Sequence, residues 1–246
     1  MHPMRKFFTE CDRYHSVLKE VIKEGIKLAK DSRLIILVLN KNNFALEQAL
    51  GNKLIKIINR THILNGVTTR IESLRTYKDE GLNDVIVVAY FSDKEADFLD
   101  SISGASYILA VEDYEDDLGC WKRRWNTDDI ESLESPKSNV KLPCVLITAL
   151  DMLSKRINIS NGLSNHSDEE TAKTYIRTLF KFKIALDNEL IKSYLIVERH
   201  WNPKDANTFI SLIEKIQNGS YFKGGEKTGL KRYYDMWVEK CKEVKQ

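Results

Sequence analysis

The chain lacks any apolar run long enough to cross a bilayer. Its longest, Leu34–Leu39 and Val85–Phe91, fall far short of the roughly 20 residues a spanning helix needs. The basic residues near the start are followed by no apolar stretch, so no secretory signal is expected. Cysteine is sparse: Cys11, Cys120, Cys144 and Cys241, far apart and without a CxxC pair. That argues against a zinc site and for buried free thiols in a reducing interior, hence a cytoplasmic location. The five histidines (His2, His15, His62, His166, His200) show no HxH, HExxH or HxxxH spacing. No strand-like run is followed by GxGxxG, and no GxxxxGK with Ser or Thr exists, which excludes the usual dinucleotide and Walker-type phosphate loops. The stretch GGEKTG at 224–229 has the right residue types in the wrong order, with no strand before it.

What is present is an ordinary globular composition, 246 residues with 42% hydrophobic and 30% charged, enough to bury a core. A formal net charge of +2 hides an uneven distribution. Residues 93–134 hold 13 Asp/Glu against 4 Lys/Arg, and residues 171–246 hold 15 Lys/Arg against 9 Asp/Glu. Such asymmetry marks separate binding faces, or solvated faces that attract one another.

Hydrophobic periodicity organises the chain. Val17, Leu18, Val21, Ile22 and Ile26 recur at helical spacing and predict a helix over about 10–30. RLIILVLN, DVIVVAYFSD and SYILAVED read as buried strands, with helical segments at FALEQAL and YEDDLGCWKRRWN. Asn65-Gly66 joins two alternating runs, near 60–64 and 67–72, and signals a type I′ hairpin. Strand–helix alternation predicts a Rossmann-like α/β domain over 1–133, a mostly parallel sheet with an inserted β-hairpin. A polar linker, 134–142, leads to an all-helical region, 143–246. There Asp187 or Asn188, and then Asn202-Pro203, read as helix starts. In RINISNGLSNHSDEE (156–170), Gly162 is expected to stop a helix and Ser167 to Glu170 to form a capping box.

In open α/β sheets ligands bind outside the carboxyl ends of the strands. Asn40 and Asp93 follow such strands. Arg156, Asn158, Ser160 and His166 are the residues of the polar loop that helix capping leaves unexplained, and with a helix N-terminus they suit a small anion. Glu112, Asp113 and Asp116 supply hard oxygen ligands for Mg²⁺ or Mn²⁺ at the rim after the third strand, although acids also gather at helix starts for electrostatic reasons. Lys227, Lys231, Arg232 and Tyr233 interleave cations and aromatics as a nucleic-acid surface does. Trp121 and Trp125, four apart, read as core. The expectation that needs no motif is an intracellular regulatory protein that binds a small anionic ligand or a protein partner, without a membrane. The alternatives are a metal-dependent enzyme acting on a nucleotide or phosphodiester, and a nucleic-acid-binding protein using the basic half.

Overall fold

A computed structural model describes residues 3–10, 15–39, 44–51, 62–114, 117–125, 142–157, 163 and 165–243. The chain divides into two compact units, Met1–Lys137 and Ser138–Gln246. Residues 134–141 of the expected linker lie outside the described residues.

The first unit is α/β. In chain order it holds β1 (Met4–Thr9), α1 (Ser16–Leu28), β2 (Arg33–Val38), α2 (Phe44–Leu50), β3 (His62–Leu64), β4 (Val67–Ser73), β5 (Asp84–Ala89), α3 (Ala96–Ser101), β6 (Ala105–Glu112) and α4 (Gly119–Trp125). Six strands form one sheet in the order β1-β6-β5-β2-β4-β3. Every pairing is parallel except β3 with β4. The hairpin turn is where the sequence places it, with φ of 49° at Asn65 and 85° at Gly66. Asparagine and glycine tolerate that left-handed backbone best, which is why this pair marks the turn. The inserted hairpin is integral to the sheet, because β4 is a full parallel neighbour of β2.

The central strands are buried on both faces, so they read as continuous apolar runs. One face carries Leu34, Ile36, Val38, Val85, Val87, Leu109 and Val111 against Leu18, Val21 and Ile22 of α1 and Leu46 of α2. Because β6 and β5 lie between β1 and β2, α1 crosses over those two strands and packs on them. On the opposite face Arg5 and Phe7 of β1 meet the rings of Trp121 and Trp125 of α4, both of which are core.

The expected first helix is too long at its start. Residues 4–9 form β1, and the helix begins at Ser16. Two cations in MRKFFT mask a strand signature, and Arg5 is accommodated by stacking its guanidinium 3.5 Å from the centre of the Trp125 ring.

The second unit is helical: α5 (Cys144–Arg156), α6 (His166–Lys181), α7 (Asn188–Val197), α8 (Pro203–Gln217) and α9 (Leu230–Glu243). The last helix packs on α5 and α6, and α8 on α6 and α7. Cys144 and Cys241, expected as free thiols, are joined by a disulfide with their Cα atoms 5.9 Å apart. The pairing is invisible in sequence, because 97 residues separate the partners and only the packing of α9 on α5 makes them neighbours.

Candidate functional site at the carboxyl edge of the sheet

All five parallel strands end on one edge of the sheet. From β2 the next parallel strand, β4, lies to one side, whereas β5 lies on the other side and leads on to β6. The carboxyl ends of β2 and β5 therefore flank the switch point, where open α/β sheets leave a crevice. The first residue after β5 is Tyr90.

Tyr90 has a φ of 60°. Its phenol oxygen lies 2.6 Å from Nδ1 of His15, itself held at φ 53° immediately before α1. Among the described residues, four other non-glycine residues share this backbone region: Asn65, Asn83, Lys183 and His200. The asparagines tolerate it, and the last two follow helix ends, where left-handed residues are ordinary. His15 and Tyr90 have neither excuse, and they touch. Non-glycine residues held there cost on the order of 1–3 kcal/mol each and cluster at functional sites. Both are half-buried, so both remain within reach of solvent.

Glu10 completes the group. Its carboxylate accepts from the Val17 and Leu18 amides at 3.2 Å each, and from the Tyr90 hydroxyl at 3.3 Å. The chain imidazole–phenol–carboxylate has consistent polarity when Nδ1–H of His15 donates to Tyr90 and Tyr90 donates to Glu10. A proton can be held at either end of such a chain.

Beside it, Glu112 is fully buried. It accepts from the Thr9 hydroxyl at 2.6 Å and from Nζ of Lys122 at 2.8 Å. Lys122 also lies 3.8 Å from the centre of the Phe7 ring. This is a closed ion pair. Asp93 caps α4 from a distance, accepting from the Cys120 and Trp121 amides at 2.9 and 3.1 Å.

The expected site residues scatter. Asn40, Asp116, Asn158 and Ser160 lie outside the described residues. Asp93 is a helix cap, Glu112 is paired, and Asp113 is exposed. Asp117 turns to the Tyr114 amide at 3.1 Å. Among the described residues no three His, Cys, Asp or Glu side chains gather to hold a metal. Arg156 and His166 are both exposed. The expected capping box at Ser167 and Glu170 does not form. Helix α6 begins earlier, capped by Asn165, whose side chain accepts from the Ser167 amide at 3.0 Å. Glu170 points instead to the loop before α9 and accepts from the Gly225 amide at 2.6 Å. That amide draws its titration below the usual carboxylate range, Lys173 adding to the effect. Thr174 takes the Glu226 amide at 2.9 Å. Two nitrogens of GGEKTG thus face side chains of α6. Arg232 and Tyr233 converge on Glu226 at 2.6 and 2.8 Å, so the charge of Arg232 is offset. Lys231 is exposed, and Lys227 sits 5.2 Å from the centre of the Tyr221 ring.

Residues 142–238 match the family model described as Domain of unknown function (DUF1889). That span lies within the helical unit. No curated protein and no solved structure matches the chain. No helix among the described residues is long and apolar enough to cross a membrane.

His15, Tyr90 and Glu10 escape sequence reasoning because they are separated by up to 80 residues. One signal was available: Tyr90 directly follows a buried strand, at the edge where parallel sheets bind ligands.

Proposed function

We propose that the α/β unit binds a small polar molecule at the carboxyl edge of its sheet, with His15 and Tyr90 as the groups that meet it. The observation that carries this reading is the 2.6 Å contact between two residues in left-handed backbone, Tyr90 directly after β5 and His15 directly before α1. Imidazole and phenol both donate and accept, so hydroxyl, amide or amine groups suit them. A free anion suits the edge poorly. Glu10 and Asp93 already occupy the amides that start α1 and α4, and Glu10 and Glu112 place carboxylates there.

The test is a thermal-shift and amide-NMR survey of nucleosides, sugars and amino acids against the full chain and its Tyr90→Phe and His15→Ala variants. A compound that binds the folded state raises its stability. The expected hit shifts the amides of residues 15–18 and 90–93 and loses its effect in both variants. Hits that stabilise both variants as well as the parent protein place binding elsewhere and end this reading.

A further inference from the structure

In the helical unit an exposed surface combines aromatic rings with cations. Tyr221 is 67% exposed and Phe180 46%, among the most exposed large aromatics of the described residues. Arg177 is fixed by donating to the carbonyls of Phe222 and Gly224 at 2.7 and 3.2 Å. Its guanidinium lies 5.6 Å from the centre of the Tyr221 ring, and Lys227 Nζ lies 5.2 Å from it. Phe180 and Lys181 follow Arg177 by three and four residues on α6, which places them beside it on the same helical face. They also line a shallow, mainly apolar cleft of about 510 Å³ with Ile184 and Leu186. Residues 171–186 contain no Asp or Glu, and residues 215–234 contain only Glu226.

We infer that this surface binds single-stranded nucleic acid, bases stacking on Tyr221 and entering the cleft at Phe180 while Arg177, Lys181, Lys223 and Lys227 face phosphates. The exposed ring decides between single and double strands. A base can stack on Tyr221 only if its own face is free, and a duplex hides its faces. The cations beside the ring supply the sequence-independent attraction to phosphate. Glu170 and Thr174 anchor the loop that carries Lys223 and Lys227, so the platform is preorganised. The surface is built from residues of the helical unit and the carboxyl edge from residues of the α/β unit, and the two readings stand or fall independently.

The experiment is fluorescence anisotropy of the full chain with labelled oligo(dT) and oligo(U) of about 20 nucleotides and with a duplex of equal length, across a salt series. Single strands are expected to bind more tightly than duplex. Tyr221→Ala is expected to weaken binding about tenfold, and Tyr221→Phe to retain it, since stacking needs the ring and not the hydroxyl. Lys181→Ala with Lys227→Ala is expected to reduce the slope of log K against log salt by about 1.4, near 0.7 per lost phosphate contact. These positions are exposed, and an unchanged circular dichroism spectrum confirms folding. No binding at low salt, equal binding of duplex, or unaltered binding by Tyr221→Ala overturns the proposal. So does displacement of the oligonucleotide by phosphatidylserine vesicles but not phosphatidylcholine vesicles, which assigns the cations to a lipid headgroup.

Discussion

The two units differ in how they cap the starts of their helices. In the helical unit, Asn165, Asp187 and Asn202 each accept an amide two or three residues ahead. In the α/β unit the carboxylates that cap α1 and α4, and the one that holds the turn before β6, come from farther away in sequence. Glu10 reaches seven and eight residues to α1, Asp79 reaches 24 and 25 residues to Ser103 and Gly104, and Asp93 reaches 27 and 28 residues to α4. Local caps stabilise a helix whether or not its neighbours have formed. Distant caps form only with the tertiary structure, so they couple elements to one another.

The largest test of this contrast lies at Asp100. It is buried and accepts from the indole nitrogens of Trp121 and Trp125 at 3.0 and 2.6 Å and from Arg124. Asp100→Ala removes the buried carboxylate that Arg124 and both indoles share, while Arg124 keeps Asp97 at 3.6 Å. The expected loss is about 3–5 kcal/mol, confined to the α/β unit and read by urea unfolding with tryptophan and amide-NMR probes. If the helical unit loses stability equally, the two units are not energetically separate.

The second test targets the covalent staple. Cys144→Ser removes a crosslink closing a loop of 97 residues, and a loss of about 2–5 kcal/mol is expected in the helical unit alone. A reductant reproduces it in the parent protein. An unchanged midpoint under both conditions means the thiols are unjoined in solution.

The smallest test is Glu170→Ala, worth about 1 kcal/mol for the lost hydrogen bond to Gly225. Its pH dependence has a definite sign. The carboxyl titrates lower in the folded protein than in the unfolded chain, whose value is about 4.3. Its contribution is full above that unfolded value and disappears as pH falls through the folded one. The difference between parent and variant should therefore vanish in acid. A difference that persists at low pH shows that packing, not charge, is what Glu170 supplies.

The same contrast explains what could be read in advance. Asn65-Gly66, Asp187 and Asn202-Pro203 were legible because each acts on its immediate neighbours. The buried strands were legible as apolar runs, with β1 escaping because of its two cations. Asp93 reads in the sequence as a ligand-binding residue after a strand, and its role as the distant cap of α4 has no local signal. The capping box failed because Asn165 competed for the helix start and the Gly225 amide for Glu170. His15 with Tyr90 was illegible, since nothing local records a contact across 75 residues.

The 2.6 Å contact from the Gly225 amide to Glu170 also sets a threshold for any dissolved anion. The carboxylate is a tethered competitor, present at its amide at an effective concentration of order millimolar or higher. A mobile anion of equal intrinsic affinity must exceed that concentration before it gains the site. Converting the 224–226 turn into an anion receptor therefore calls for deleting Glu170 rather than adding a lysine.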